Sequence, residues 1–231
     1  FAVFAKVDIE AAQELSLYAL VGENASQILQ QSYQQVPDSL CPVIQVNSTT
    51  LVYIAGQKNR YLIIDQQAQL KNIIGDWSLP LYGQAVWELT EINEGFPTLA
   101  TNSLQQYVPQ MLNLQAINGI SFTKGCYIGQ ETVARMQYLG KNKRALYQLV
   151  NSLALTEKVT MTTDDVIEKQ LGENWRKAGD ITSYYQADNT QLYIQAILTN
   201  DVDENTVLRL KQHPDVTLSL ADLPYTITEK T

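Results

Sequence analysis

Residues 60–77 read RYLIIDQQAQLKNIIGDW and decide the fold class, because two hydrophobic periods follow each other within them. Residues 61–64 are apolar and mostly β-branched or aromatic, which is typical of a strand. Four apolar residues then recur at the spacing of one helical face: Leu70, Ile73, Ile74 and Trp77. We expect Asp65 to cap this helix. A strand joined directly to an amphipathic helix indicates a mixed α and β fold.

The sequence before this stretch has the same character. Strand-like runs lie at residues 1–7, 15–21, 43–46 and 50–55, and helical patterns lie at about 25–33 and 85–93. This order favours an open antiparallel sheet covered by helices, in the manner of a ferredoxin-like α+β unit. The chain starts without Met inside a strand pattern, so we expect an upstream segment to be missing.

The pattern changes from about Arg144 onward, where short strand-like runs are separated by turn residues. These runs lie at 145–150, 159–163, 175–184, 192–198 and 207–210. Their spacing predicts a small antiparallel barrel or sandwich. We place the boundary near Gly140, in a polar stretch that contains a helix breaker. An α+β region then covers residues 1–140 and a β-module covers residues 141–231.

The composition excludes several classes of function. A net charge of −8 over 231 residues disfavours contact with nucleic acid or an anionic membrane, so we expect no direct nucleic-acid binding. Two cysteines and one histidine are too few for an all-protein zinc site, and we expect no metal. The sequence has no signal-peptide pattern and no long apolar run. We therefore expect a cytoplasmic protein without a membrane segment.

Residues 118–132 read NGISFTKGCYIGQET and are the most unusual part of the chain. Three glycines surround Cys126 and let the backbone turn sharply. Lys124 lies two residues before the cysteine, and a nearby positive charge favours the reactive thiolate. We interpret Cys126 as a functional thiol. The alternative is a small buried hydrophobic residue, which is the commoner role of a lone cysteine.

The basic segment, residues 124–144, carries a net charge of +4, whereas the rest of the chain carries −12. A basic region beside a glycine-rich turn is typical of a site for an anionic small ligand or an acidic partner. A solvated hairpin rim would have the same composition. The charge alone leaves both interpretations open.

The stretch KGCYIGQE, residues 124–131, resembles the K-G-C-Y-x-G-Q-E signature of the YgfZ family of folate-binding proteins. That family is related to the T-protein aminomethyltransferase of the glycine cleavage system. Further similar segments lie at 94–97, 113–122, 142–146, 172–176 and 223–225. The resemblance implies ferredoxin-like lobes, a C-terminal β-barrel and tetrahydrofolate binding. It also implies a role in the synthesis or repair of iron–sulfur enzymes, including those that thiomethylate tRNA.

A folate ligand asks for particular side chains. The pterin ring forms hydrogen bonds with a carboxylate or an amide and stacks on an aromatic face, and the anionic glutamyl tail pairs with Lys or Arg. The candidate binding residues are Arg60, Tyr127, Glu131 and Arg144, and Arg60 and Tyr127 rank above a further candidate, Trp87. The candidate reactive pair is Cys126 with Lys124. We expect Arg60, Lys124 and Arg144 to face one cavity that holds the tail.

Two functions remain open at this point. The first is a monomeric accessory factor that binds folate and supports iron–sulfur client enzymes such as a tRNA methylthiotransferase. The second is a folate-dependent aminomethyl or one-carbon transferase, although the sequence alone identifies no active site. Aminomethyltransferases carry an R-x-E-x-G stretch, whereas Glu91, Asn93 and Gly95 stand in those places here. This departure favours the accessory factor. Cys41 lies outside any motif, and we expect it to be dispensable.

Overall fold

The computed structural model describes residues 8, 10–123, 125, 127, 129–138, 142–188 and 190–227. The chain divides into two compact units, Phe1–Leu81 and Tyr82–Thr231. An α+β fold with a C-terminal barrel is confirmed. The boundary expected near residue 140 falls inside the second unit, between its last helix and its first barrel strand. The strand predicted at residues 1–7 lies outside the described residues.

The first unit is an antiparallel sheet covered by two helices. Its elements are β1 (Leu15–Val21), α1 (Ala25–Ser32), β2 (Val43–Val46), β3 (Thr49–Ile54), β4 (Arg60–Gln66) and α2 (Gln67–Asp76). The strand order is β1-β4-β3-β2, with antiparallel neighbours throughout. Leu51 of β3 lies opposite Ile63 of β4, and both pack against Leu29 of α1 and Leu70 of α2. The helical period read from the sequence therefore marks the buried face of α2.

Asp65 does not cap α2 as we expected; the N-cap position belongs to Gln66. Asp65 instead ends β4 with its carboxylate buried. The carboxylate accepts hydrogen bonds from Thr49 Oγ1 at 2.6 Å, Ser48 Oγ at 3.0 Å and the Gln66 amide at 2.7 Å. Burial alone raises the pKa of Asp65, but the hydrogen bonds from Thr49, Gln66 and Ser48 together hold it below its ordinary value.

We predict that Asp65→Ala destabilises the chain at neutral pH and that this loss shrinks in acid. Removing the acceptor leaves the buried Thr49 hydroxyl without this partner, which should cost about 1–3 kcal/mol of unfolding free energy. The folded pKa of Asp65 lies below its ordinary value of 3.8. The stabilisation is therefore present above that value and is lost as the pH falls through the lower folded pKa.

Urea unfolding at about pH 7 and about pH 3 measures this difference between wild type and Asp65→Ala. Asp76→Ala is the matched control, because Asp76 is an exposed aspartate at the end of α2. The control should show little loss at either pH. Equal destabilisation by Asp65→Ala at both pH values would contradict the prediction.

The second unit begins with helical segments. They are α3 (Gln84–Asn93), two 3₁₀ helices (Thr101–Ser103 and Pro109–Leu112) and α4 (Gln130–Tyr138). α3 matches the predicted helix, whereas α4 was not predicted. None of the helices in the described part of the chain is long and apolar enough to span a membrane.

Six strands of the second unit form a closed antiparallel barrel. They are β5 (Arg144–Asn151), β6 (Val166–Leu171), β7 (Asn174–Ala187), β8 (Gln191–Thr199), β9 (Leu208–Leu210) and β10 (Thr217–Ala221). Around the barrel the order is β10-β5-β8-β7-β6-β9. Leu149, Ile181, Ile194 and Leu210 are among the buried residues of its core. The barrel, one of two predicted alternatives, is thus the one that forms.

The prediction of a strand at 159–163 is wrong, because these residues do not pair with another strand. This segment is held by side chains instead. Tyr184 Oη donates to the Met161 carbonyl at 2.6 Å, and the Val159 amide donates to Gln186 Oε1 at 2.9 Å. Met161 itself is buried in the barrel core. Apolar residues in this segment therefore mark a packed loop.

Candidate functional site

The chain that follows α3 is fixed to the barrel by one buried amide. Gln195 of β8 donates from Nε2 to the Phe96 carbonyl at 2.8 Å. Its Oε1 accepts from the Thr98 amide at 3.0 Å. Because both ends of the amide are used, the loop has a defined position on the barrel wall.

The positions that correspond to the R-x-E-x-G stretch are also held by other parts of the second unit. Asn93 Oδ1 accepts from Gln148 Nε2 of β5 at 3.0 Å. Tyr225 Oη donates to the Gly95 carbonyl at 2.6 Å. Gly95 has φ +61°, and a Cβ there would lie 2.8 Å from the Tyr225 ring. Asn93 and Gly95 therefore have packing roles here.

Two buried amide side chains hold the segment that precedes the glycine-rich motif. Asn113, with φ 56°, donates from Nδ2 to the Leu146 carbonyl at 2.8 Å. Its Oδ1 accepts from the Leu146 amide at 3.3 Å. The side chain thus pairs with both backbone groups of Leu146, as the backbone of a neighbouring strand would. Gln110 donates from Nε2 to the Val133 carbonyl of α4 at 2.7 Å. The motif is thus bounded on both sides by fixed elements.

The motif has an open surface at its described positions. Tyr127 is 40% exposed, and its amide donates to Gln130 Oε1 at 3.2 Å at the start of α4. A Cβ at Gly125 would meet no atom within 4 Å, and Gly129 has φ +89°. Gly129 is therefore required by the backbone, whereas Gly125 leaves room for another molecule to approach.

The structure brings together only some of the predicted site residues. Tyr127 and Glu131 both lie at the start of α4, where the helix dipole favours the Glu131 carboxylate. Arg60 belongs to the first unit, where it is 2% exposed and donates from Nη2 to the Ala55 carbonyl at 3.4 Å. Lys124 and Cys126 lie outside the described residues. The single cavity for Arg60, Lys124 and Arg144 stays a prediction.

Arg144 has a partner that the sequence did not suggest. Its Nη1 lies 3.8 Å from Asp180 Oδ2, and Lys177 also pairs with Asp180. The Tyr107 hydroxyl is hydrogen-bonded to the same carboxylate. Burial, and then the charge and hydrogen bond of Asp180, raise the pKa of Tyr107 to about 12, with Arg144 opposing. The phenol therefore stays protonated and serves as a donor.

Tyr107, Asp164 and Asp180 line a cavity of about 240 Å³ in the second unit. Whole-ligand pockets usually measure about 300–1,000 Å³, so this cavity suits one end of a larger molecule. Its aromatic ring and carboxylates, with the Arg144 guanidinium beside them, are the side-chain types that a folate needs. These residues fit that cofactor in chemical type. No motif could have indicated the cavity, because its parts are far apart in sequence.

The last candidate residue for the ligand is Trp87, and the last kind of ligand to test is a metal ion. Trp87 is half-buried in the middle of α3, and its carbonyl accepts from Thr90 Oγ1 at 2.7 Å. Within the described ranges, no group of three or more His, Cys, Asp and Glu side chains could hold a metal ion.

Comparison of the sequence with known proteins identifies related chains. A family model described as "YgfZ, beta-barrel domain" matches residues 142–213, which include most of the barrel. The tRNA-modifying protein YgfZ of Colwellia psychrerythraea is 58% identical over 227 residues, covering 98% of this chain and 68% of that protein. The protein of that name from Pectobacterium carotovorum is 38% identical over 232 residues, covering 99% and 68%. That of Yersinia enterocolitica is 37% identical over 232 residues, covering 99% and 69%.

Proposed function

Because the chain belongs to the YgfZ family, we propose that it is a tetrahydrofolate-binding accessory factor that supports tRNA modification. In this proposal it acts indirectly, through the synthesis or repair of iron–sulfur enzymes that thiomethylate tRNA. One observation carries the tRNA role: 58% identity, over 98% of the chain, to a protein named for tRNA modification.

Folate binding is supported by the cluster of Tyr107, Arg144 and Asp180. The cavity suits one end of the ligand, so Asp180 would accept hydrogen bonds from the amidine edge of the pterin and Tyr107 would supply an aromatic face beside that edge. Arg144 Nη1, which lies 3.8 Å from Asp180 Oδ2, would hold this carboxylate in place by a charge-assisted contact. When bound, tetrahydrofolate would supply a carrier for one-carbon groups.

A transferase is the less favoured function. Its Arg and Glu would stand where Glu91 and Asn93 lie. Glu91 is buried and Asn93 accepts a hydrogen bond from Gln148 of β5, so these positions secure α3 to the barrel. An acidic residue in place of Arg would also repel an anionic folate tail. Both points favour binding without aminomethyl transfer.

Titration with tetrahydrofolate tests the proposed cofactor. Losing one charge-assisted contact usually costs about 1.5–3 kcal/mol, so Arg144→Ala and Lys124→Ala should each weaken binding roughly 10- to 100-fold. Arg176→Ala is the matched control, because Arg176 is an exposed arginine on β7. The control should bind as the wild type does.

The result separates folate binding from a partner role of the basic segment. Affinity should also fall as salt is raised, because ionic contacts are screened. Wild-type protein that does not bind tetrahydrofolate would overturn the cofactor proposal. Normal affinity in both Arg144→Ala and Lys124→Ala would assign the basic segment to a protein partner instead.

A further inference from the structure

Three aromatic side chains are exposed around the glycine-rich motif. Phe122 is 36% exposed, Tyr127 40% and Tyr138 65%. The rings of Phe122 and Tyr138 meet edge to face, with centroids 6.5 Å apart. Single exposed aromatic residues are common on protein surfaces, but an exposed pair in contact, such as Phe122 and Tyr138, with a third aromatic residue in the same motif region is typical of an interaction site.

Helix α4 presents this group on a fixed support. Its buried residue Val133 has its carbonyl bound by Gln110, which fixes the inner face of the helix. Arg135 and Tyr138 are three positions apart, so they share the outer face, and both are exposed. The Tyr127 amide donates a hydrogen bond to the side chain of Gln130, the first residue of the helix. We call Phe122, Tyr127, Arg135 and Tyr138 the aromatic surface.

The composition of the aromatic surface is that of a protein interface. Tyr, Phe and Arg are enriched in interfaces, and Tyr and Arg are frequent among the residues that dominate binding energy. Tyr127, Arg135 and Tyr138 lie within the basic segment, whose net charge is +4 in a chain of net charge −8, and Phe122 lies two residues before it. A complementary partner is therefore acidic and offers an apolar side chain to the aromatic rings.

Nucleic acid fits this surface less well. Affinity for nucleic acid depends mainly on many contacts between phosphates and basic side chains. Arg135 and Lys143 are the exposed cations that the described part of this segment offers, and Glu131 is exposed on the same helix.

We infer that the aromatic surface docks an acidic segment of a partner protein, which packs an apolar side chain against the aromatic rings. Arg135 pairs with a carboxylate of that segment, and this charged contact specifies the partner. The inference rests on the proposed function only for the kind of partner, a client enzyme. It does not depend on folate binding.

Photo-crosslinking in cells tests this inference. The probe is p-benzoylphenylalanine in place of Tyr138, with Tyr127 as a second position. Tyr82 is the matched control, because it is a tyrosine of the same unit that is 71% exposed. We expect a protein adduct at position 138 that is about ten-fold stronger than at position 82. The crosslinked peptide should carry a net negative charge and an apolar residue.

Charge variants identify the contact. Arg135→Glu should lower the adduct about ten-fold, whereas Arg135→Lys should retain most of it. Reversing the carboxylates of the identified peptide to lysines should restore the adduct with Arg135→Glu. Ribonuclease treatment should change nothing. An RNA adduct, a neutral or basic peptide, an adduct equal to that at Tyr82, or no adduct at either position would overturn the inference.

Folate titration distinguishes a failure of the docking inference from a failure of the proposed function. Arg135→Glu should bind tetrahydrofolate as the wild type does. Near-ultraviolet circular dichroism of each variant checks that it is folded. A wild-type protein that fails to bind folate, but still forms the acidic-peptide adduct, would overturn the cofactor proposal and leave the docking surface in place.

Discussion

Replacing Gly179 with alanine is expected to prevent the barrel from closing. Gly179 lies on β7 opposite Leu198 of β8. A Cβ there would lie 2.0 Å from the Ile197 carbonyl oxygen and 2.7 Å from Leu198 Cδ2. The first of these atoms is backbone within a paired strand, so it cannot move without breaking the ladder. We expect a loss of more than about 4 kcal/mol of unfolding free energy.

Denaturant unfolding measured by circular dichroism checks this expectation, since natural domains are stable by only about 5–15 kcal/mol. Gly75→Ala is the matched control, because Gly75 lies in α2 and a Cβ there would meet no atom within 4 Å. Alanine favours a helix, so this control should be neutral or slightly stabilising. Similar unfolding midpoints for the two variants would show that the barrel tolerates a side chain at position 179.

The second large effect is expected from Cys126→Ser. Serine is close to cysteine in volume but lacks the acidic sulfur nucleophile, so a packed cysteine tolerates the change and a reactive one does not. The residues next to Cys126, Gly125 and Tyr127, are both exposed. We expect tRNA thiomethylation to fall to the level of cells that lack the protein, while the variant still folds.

Rescue of such cells, with thiomethylated tRNA measured by mass spectrometry, tests this prediction together with iodoacetamide labelling of Cys126 across pH. Cys41→Ser is the control thiol, because Cys41 is an exposed cysteine whose Sγ lies 3.7 Å from the Val43 carbonyl oxygen. It should rescue fully. Full rescue by Cys126→Ser, with an unreactive native thiol, would make the motif a structural turn.

Periodicity predicted the elements that fold locally. α1 and α2 occur where helical spacing of apolar residues indicated them, and Leu29 and Leu70 are buried as that spacing requires. β2 has the bounds predicted for it. Each of these elements places its apolar residues on one face, so the pattern along the chain is sufficient to locate it.

Errors arose where the role of a residue depends on distant parts of the chain. Asp65 has a side chain that often caps helices, but on β4 its carboxylate accepts hydrogen bonds from Ser48 and Thr49 instead. β6 was not predicted because charged and polar residues interrupt it, and β10 was not predicted because it is only five residues long. Each of them is held by two neighbouring strands, β6 by β7 and β9, and β10 by β5 and β9.

The candidate site was predictable only in part. The motif residues Tyr127 and Glu131 could be named from sequence, because a signature marks them. Tyr107 and Asp180 could not, because the turn containing Tyr107 meets β7 only after the chain has folded. Arg144 was predicted as a cation for a ligand, and its pairing with Asp180 emerges only from the register of the barrel.

The strand order of the barrel has a consequence during protein synthesis. β5 is the first barrel strand to leave the ribosome, yet both of its neighbours, β8 and β10, are made later. β10 begins about 65 residues after β5 ends, which at translation rates of about 5–20 residues per second is roughly 3–13 seconds. Throughout that time β5 has an unpaired edge and uncovered apolar residues, which favour aggregation. We therefore expect the nascent chain to need a chaperone over this interval.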